Sequence, residues 1–461
     1  MGLSTAMEIG KNGLTIYRVA TEVTSENIAN VNTPGYSRQR VLLETAPPTT
    51  QNGFPMGTGV RIASVERYYD GLLQQQLVNA QTTLGYNTAK SSVLQQIEPT
   101  FNEVANDGLG AAVSNFFGAW QDLTLNPAGA AERQAVLSRA EILQDNFRSV
   151  STTLNDSINT QNDSLVPLTN DINATLQHIA ELNSQIKTTE LVSGNANETR
   201  DRRDQLIRDL AVKIGITFTE NSDGTTDIKF ADGGAALVSG STAGSFSLVP
   251  NGTVSDVYVT AAGAGAAVLV TPTKGQLGAT LALRDAVIPG YLGQIDNLAA
   301  TITSQVNSQH KLGFDLTGAA GIDFFDPAGT TAGTFGLNAA LVSTNQIAAS
   351  GNALLLGDNS NVLKLAQMQG QKLMSAGAST FNSYFDSLVS RIGLDVMSSK
   401  TTVAQNEAFT RQLTNLRESN SGVSLDEELT NLVKYQRSYQ ASAKLISTAT
   451  EMMDIVMGLI R

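Results

Sequence analysis

Hydrophobic positions near the N-terminus recur with the period of an amphipathic helix. One row of apolar or small residues runs from Leu3 to Tyr17 at spacings of three and four, and a neighbouring row extends from Ala6 to Val23. Together the two rows form a broad apolar face of the kind that packs against other elements. A long helix is therefore predicted over residues 4–31.

This helix is predicted to stop at the sequence Thr33-Pro34-Gly35. Pro34 excludes Thr33 from helical dihedral angles, and Gly35 readily takes a positive φ. The combination predicts a type II turn immediately after the first helix.

The C-terminal segment mirrors the N-terminal one. Ser424 and Glu427 have the spacing of a capping box at a helix start. The following positions then alternate at four and three residues over about five heptads, which predicts a coiled coil. They are Leu425, Leu429, Leu432, Gln436, Tyr439, Ala443, Ile446, Thr450, Met453, Met457 and Ile460. A second row holds Leu445, Ala449, Met452, Val456 and Leu459.

The middle of the chain changes its hydrophobic period twice. Alternation with a period of two runs from Ile214 to about Leu283, with turn residues between the short apolar runs, and predicts strands. A glycine-rich loop is expected over residues 313–357. Helices are predicted over residues 71–97, 130–186, 199–213, 289–309 and 361–420.

This order predicts a mainly α fold with an inserted β domain, in nested, discontinuous domains. The terminal helices pair as a coiled-coil rod, a helical second domain follows, and a small β domain lies at the tip. The expected boundaries are 1–60 and 417–461 for the two halves of the terminal helical rod domain, 61–212 and 284–416 for the helical domain, and 213–283 for the inserted β domain.

Composition narrows the classes of function. Charged residues make up only 16% of the chain, below the roughly 25% of an average protein, which favours packing against copies of itself. The net charge of −12 argues against nucleic acid as a partner. The absence of cysteine excludes disulfides, and no apolar run predicts a membrane span. The alternating charges of residues 200–204 predict surface ion pairs.

Candidate catalytic chemistry is sparse. The histidines, His178 and His310, lie outside any nucleophile-elbow pattern, and a His/Cys zinc site cannot be built without cysteine. Ser-x-x-Lys matches at Ser184 and Ser308 lack the companion elements of penicillin-binding enzymes. The loop 315–323 has an acid at each end but no calcium-loop core, and whether it binds an ion stays open. We predict a protein that is not an enzyme, with no cofactor and no metal.

The sequence NIANVNTPGYSRQ, residues 27–39, resembles the N-terminal motif of flagellar rod, hook and hook-associated proteins. Residues 421–461 are similar to the C-terminal end of the same proteins. Three interior segments, 196–211, 307–325 and 335–350, resemble the hook-associated protein 1 family. These interior segments favour that family over rod and hook subunits, which share only the two ends. That family often carries a further domain after its Phe-Phe pair, and here residues 324–325 lead almost directly to residue 335.

The resemblance implies a structural subunit that polymerises as a ring joining hook to filament. It implies four partners: copies of the chain itself, the hook protein, a second hook-associated junction protein, and a cytoplasmic export chaperone at the C-terminal helix. It also implies secretion to the flagellum through the type III channel, and the N-terminus lacks the features of a cleaved signal peptide. Neither nucleic acid nor membrane is expected as a partner. The β domain is expected to be an outer module.

Three alternatives remain at this point: a hook or rod subunit, a secreted coiled-coil binding protein, and an extracellular hydrolase. The first belongs to the same axial class, and the other two lack an anchor or a catalytic site in the sequence. Terminal segments 1–40 and 424–461 are expected to be loose in the monomer and to order on assembly, because isolated helices depend on packing. The predicted assembly residues are Asn27, Ile28, Asn30, Asn32, Thr33, Pro34, Gly35, Tyr36, Leu429, Leu432, Tyr439, Ile446, Met453, Val456 and Ile460.

Overall fold

The computed structural model describes residues 2–51, 54–102, 108–192 and 194–459. Helices dominate at 63%, beside a small β-sheet domain and long paired terminal helices, which confirms the predicted fold class. The helices are α1 Gly2–Ala29, α2 Gly71–Ile97, α3 Leu109–Leu125, α4 Ala130–Val192, α5 Asn197–Lys213, α6 Gly275–Ala282, α7 Ile288–His310, α8 Ser360–Gln367, α9 Phe381–Ser421 and α10 Leu425–Leu459. A π-helical turn, Leu283–Val287, joins α6 to α7.

The strands form four antiparallel sheets in the described part of the chain. They are β1 Gln39–Thr45, β2 Thr49–Gln51, β3 Phe54–Met56, β4 Val60–Arg67, β5 Ile216–Glu220, β6 Thr226–Phe230, β7 Ala236–Ser239, β8 Thr242–Ala243, β9 Ser245–Asn251, β10 Val254–Thr260 and β11 Ala267–Leu269. The pairings are β1-β4, β2-β3, β5-β6-β7-β8 and β11-β10-β9. Strands β5 to β11 make up the β domain.

Helices α1 and α10 pack along each other at close range. A Cβ atom at Gly10 would lie 2.6 Å from Cγ1 of Ile446, and one at Gly13 would lie 2.6 Å from Oγ of Ser442. Glycine at these two positions therefore brings the backbones together, as small residues do at helix interfaces. We name the α1–α10 pair the terminal rod.

Strands β1 to β4 correct the helical character predicted for residues 1–60. Strands β1 and β4 pair from Gln39↔Arg67 to Thr45↔Val60, with a register shift after Leu42. Their burial does not alternate cleanly, so the period of two that identifies a half-buried strand is weak here. The hairpin follows the turn after α1 and leads into α2.

The β domain differs from the prediction in extent and place. Its last strand ends at Leu269, and residues 275–282 form α6 rather than a strand. The sheets do not lie at the tip but beside the C-terminal half of α4, where Nδ2 of Asn173 donates to the Phe246 carbonyl at 2.8 Å. Nδ2 of Asn183 donates to the Thr226 carbonyl at 2.9 Å. A sheet this small needs the apolar faces of α4 and α5 to cover its core.

The part of the chain outside the terminal rod, which we name the body, contains two large hydrophobic cores. The core nearer the motif after α1 combines α5, α6 and the β domain with the part of α4 from Leu165 to Ala180. The far core combines α3, α7, α8, the first halves of α4 and α9, and loop residues around Phe324 and Phe325. Trp120 packs edge-on against Phe324 with ring centroids 5.2 Å apart.

Gly85 holds α2 against the end of α5. A Cβ atom there would lie 2.1 Å from the carbonyl oxygen of Val212, which is backbone and cannot rotate away. We expect Gly85→Ala to lower the free energy of unfolding by about 2–3 kcal/mol through overpacking. Gly118→Ala is the matched control, since nothing lies within 4 Å of its added Cβ. Equal urea midpoints for the two variants would contradict this close contact.

His310 is fully buried and hydrogen-bonded, as the hydrogen-bonded alternative for this residue predicted. Its Nε2 accepts from the amide of Ala348 at 2.9 Å, so its Nδ1 carries the proton and donates to the Ile322 carbonyl at 2.6 Å. Burial lowers the pKa of His310 from 6.5 to about 4, so the imidazole is neutral in the fold.

This histidine is expected to make folding stability fall in acid. The unfolded chain takes up its proton near pH 6.5 and the folded chain only near pH 4, so stability declines as pH falls through that window. The expected loss is about 3 kcal/mol in total, at about 1.4 kcal/mol per pH unit. Urea unfolding of the native chain and of His310→Gln at pH 7 and pH 4.5 checks this. Parallel pH dependence in both proteins would contradict it.

The loop from Asp315 to Asp323 does not bring its two acids together. Asp315 accepts hydrogen bonds from the amides of Thr317 at 2.8 Å and Ala319 at 2.9 Å. Asp323 pairs with Lys311 at 2.7 Å. Across the described ranges, no group of three potential metal ligands occurs. Asp315 therefore acts as a turn residue that fixes the loop backbone.

Candidate functional site

The motif loop, residues 30–38, turns the chain sharply after α1. The Tyr36 amide donates to the Thr33 carbonyl at 3.2 Å, and Gly35 has φ +83°. Proline at the second position and positive φ at the third are the features of a type II turn, which confirms that prediction. Nη2 of Arg417, near the end of α9, donates to the Gly35 carbonyl at 2.7 Å.

Asn27 is the polar centre beneath this loop. Its side chain is 1% exposed. Its Oδ1 accepts from the hydroxyl of Tyr36 and the amide of Gln39, both at 2.9 Å. Its Nδ2 donates to the Gln39 carbonyl at 2.9 Å and to Oε2 of Glu428 at 3.1 Å. An asparagine amide fills all four positions because it offers two donors and two lone pairs.

The motif loop also binds the start of α10 through ion pairs. Nε of Arg38 lies 2.6 Å from Oε1 of Glu428, which is buried, and its Nη1 lies 2.5 Å from Oε2 of Glu427. Glu427 was predicted to cap its own helix and instead points to Arg38. Glu427 and Glu428, at the start of the C-terminal helix, therefore both bind Arg38 of the N-terminal motif and hold the two ends of the chain together.

Helix α5 holds the opposite side of the loop. Ser37 donates to Asp201 through both its amide and its hydroxyl, each at 2.7 Å. Nη1 of Arg67 lies 2.7 Å from Asp201 and 2.8 Å from Asp204. These carboxylates are buried, so the predicted surface ion pairs of residues 200–204 are wrong for the two aspartates. Alternating charges on a helix look alike in sequence whether a neighbour covers them or water does.

Burial and neighbouring groups raise the pKa values of Tyr36 and Glu26 beside the motif loop. Burial raises the pKa of Tyr36, so its hydroxyl stays protonated and donates to Asn27. A hydrogen bond with the Glu198 carboxyl, then burial and charge repulsion, raise the pKa of Glu26 to about 7. Glu26 therefore changes its protonation near neutral pH, unlike an ordinary glutamate. We name this meeting of α1, the motif loop, β4, α5 and α10 the joint.

The predicted assembly residues lie in several different environments. Asn27, Gly35 and Tyr36 lie in the joint, while Asn30 and Thr33 bond to each other and shape the turn. Ile28 is half-buried, and Asn32 and Pro34 are exposed beside it. Leu432, Ile446 and Met453 are half-buried, whereas Leu429, Tyr439 and Val456 are exposed. Ile460 lies outside the described residues. The C-terminal set therefore does not form one continuous seam, and its role in assembly stays a prediction.

Helix α10 leaves an apolar stripe uncovered. Its large apolar side chains away from α1 are 45–64% exposed, whereas Ala449 is buried. They are Leu429, Val433, Met452, Ile455 and Val456, and we name them the outer face of α10. An exposed stripe of this kind marks an interaction surface.

Sequence reasoning missed most of the charged residues of the joint. Arg38 belonged to the motif as quoted, but Arg67, Asp201, Glu428 and Arg417 come from four distant segments. Only the polar motif at residues 27–39, unusually dense in hydrogen-bonding groups after an apolar helix, gave a signal. Its partners become visible once the fold places them beside it.

Both ends of the chain match family models of flagellar basal body rod proteins. Residues 7–36 match a model described as flagella basal body rod protein, and residues 417–459 match the C-terminal model of flagellar basal body rod FlgEFG proteins. Paired terminal helices joined at this motif thus define the class of flagellar axial structural proteins. A model described as the flagellar hook-associated protein FlgK helical domain matches residues 94–325, half of the chain, so the chain belongs to the FlgK family.

Full-length relatives agree with this assignment. Flagellar hook-associated protein 1 of Bacillus subtilis is 28% identical over 500 residues, covering 99% of this chain and 98% of the relative. The protein of the same name in Escherichia coli is 27% identical over 548 residues, covering 99% and 100%. That alignment is longer than the 461 residues of this chain, so the relative has segments absent here.

A solved structure shows the same fold. The flagellar hook junction protein FlgK from Burkholderia pseudomallei superposes with a TM-score of 0.68 at 16% identity, covering 75% of this chain and 100% of that one. The family model and the full-length relatives together make the chain a structural junction protein of the flagellum. Over the described residues, no helix is long and apolar enough to cross a membrane.

Proposed function

We propose that copies of this chain polymerise as a ring that joins the hook to the filament, with contacts made through the outer face of α10. The observation that carries this is the uncovered apolar stripe on the terminal rod. Burying a large apolar side chain stabilises by about 1.5–3 kcal/mol, so several such residues favour a neighbour strongly. Copies of the chain, the hook protein and a second hook-associated junction protein are the proposed neighbours.

The charge distribution supports contact through the rod. Residues 1–67 carry six basic and five acidic residues, and residues 417–461 carry five basic and six acidic ones. The terminal segments are therefore neutral together, and the net charge of −12 lies entirely in residues 68–416. The terminal rods of neighbouring copies can therefore approach one another without net charge repulsion. The negatively charged segments 68–416 of neighbouring copies repel one another.

The absence of cysteine makes a cross-linking test direct. We expect Met452→Cys, on the outer face of α10, to form intermolecular cross-links in isolated hook–filament junctions. Leu191→Cys, which is more exposed than Met452 but lies on α4, is the control. Cross-linking at residue 191 with none at residue 452 would contradict the proposed contact.

Before export, the same stripe is a hazard for aggregation. A cytoplasmic export chaperone that covers α10 is the proposed solution, and deletion of residues 418–461 is expected to abolish its binding. Calorimetry measures this directly, and unchanged binding would exclude the idea.

Secretion through the type III channel without cleavage is the proposed route. Mass spectrometry of the secreted chain is expected to find Met1 or Gly2 at the N-terminus. Loose terminal segments would ease passage, and hydrogen exchange of a verified monomer tests this. Strong protection of residues 429–456 would contradict loose ends.

A further inference from the structure

Helix α5 holds the joint with one group of charges. Asp201 binds Ser37 of the motif loop, and Asp201 and Asp204 both bind Arg67 of β4 at 2.7–2.8 Å. These contacts fix the loop that joins the two ends of the chain. All of them depend on where the two aspartates lie.

The same helix holds the β domain with its arginines. Nη1 of Arg203 donates to the Gly224 carbonyl at 2.6 Å, and its Nη2 lies 3.5 Å from Oε1 of Glu220. Arg200 pairs with the same glutamate and also with Glu190 of α4 at 2.7 Å. Glu220 ends β5, so the β domain supplies acceptors to α5 directly.

The two groups meet inside the protein. Nε of Arg203 lies 3.7 Å from Oδ1 of Asp204, whose other oxygen binds Arg67. Arg67, Asp201, Asp204 and Arg203 form a neutral quartet with side chains 1–8% exposed. Nη2 of Arg67 and Nε of Arg203 have no hydrogen-bond partner in it. A buried, incompletely paired quartet responds to any change of its charges.

We propose that the β domain is a working part of the joint, because Glu220 anchors Arg203 and thereby sets the position of Asp204, Arg67 and Ser37. Without the Glu220 carboxylate, buried Arg203 has only Asp204 as a counter-charge. Asp204 then shifts toward Arg203 and away from Arg67, which loosens the hold on the motif loop. The β domain is thus not an independent outer module.

Glu220→Gln in the full chain tests this coupling. Its expected effect is faster hydrogen exchange at the Ser37 amide, by about fivefold, in line with coupling between linked sites. Mass spectrometry with electron-transfer fragmentation reads this amide. Glu190→Gln is the matched control, because Glu190 also pairs with Arg200 but does not contact Arg203. It is expected to leave the Ser37 amide unchanged.

The reciprocal experiment changes Ser37, in the motif loop, and measures the effect in the β domain. Coupling free energies are symmetric, so Ser37→Ala is expected to speed exchange at the Thr226 amide, which donates to Asn183 beside Arg203. Equal effects of Glu220→Gln and Glu190→Gln on Ser37, or no effect of either, would overturn the proposal. If Glu220→Gln also speeds hydrogen exchange at the Phe324 amide in the far core, the variant has loosened the whole fold. That result would overturn the proposal as well.

Discussion

Asn27→Asp is expected to loosen the terminal rod from the body although the side chain keeps its shape. The new carboxylate cannot donate to the Gln39 carbonyl and places a negative charge about 3 Å from buried Glu428. The expected loss is about 3–5 kcal/mol of stabilisation at the joint, as for breaking a buried charged pair. Hydrogen exchange at Gln39 and along the first turns of α10 measures it.

Asn32→Asp is the matched control, because Asn32 is exposed in the same loop. It makes the same chemical change and adds the same charge. The two variants should differ by a large factor in exchange at Gln39 while showing equal stability in the far core. Equal exchange in both would mean that Asn27 does not hold the joint.

Placing aspartate at Met452, Ile455 and Val456 together is expected to abolish filaments while the chain is still exported. All three belong to the outer face of α10, so the charges oppose contact with a neighbour but not the α1–α10 pairing. Electron microscopy of cells and detection of the chain in the medium measure the result. Hooks without filaments are the expected outcome.

The control introduces the same charge at polar positions of the same helix: Gln440→Asp, Ser447→Asp and Thr450→Asp. These positions are exposed, and the residues present there are already polar. Normal filaments are expected. Ile446→Asp is a separate case, since Ile446 packs over Gly10 and its replacement breaks the rod within one molecule. Filaments with the outer-face variant would disprove its role in assembly.

The long helices and the fold class were predictable from the sequence because periodicity is a local property. Helix α2 begins and ends where predicted, at Gly71 and Ile97, between the N-cap residue Asp70 and the helix-breaking Pro99. The turn at Thr33–Tyr36 was predictable for the same reason: proline and glycine restrict the backbone of their own neighbourhood.

Non-local facts were not predictable. Periodicity showed that α10 has a broad apolar stripe, but α1 covers only part of it, so Leu432 is half-buried and Leu429 exposed. The charges of Asp201 and Asp204 looked solvated because nothing in their segment reveals that Arg67 lies over them. Helix α6 was read as strand because Gly275 and Gly278 weaken its helical signal, and close contact with Thr273 and Ile214 requires those glycines.

The length of α4 turns small errors at the joint into large displacements. The helix has 63 residues, and its last turns lie beside α5, where Glu190 pairs with Arg200. At 1.5 Å per residue it reaches about 95 Å, so a rotation of about 5° at its base would carry its far end by about 8 Å. The hydrogen bonds around Asn27 and Asp201 then matter more for limiting the rotation of α4 at the joint than for the strength with which the joint is held. In the proposed ring, a subunit whose base is held to within about a degree would present its far end at nearly the same radius in every copy.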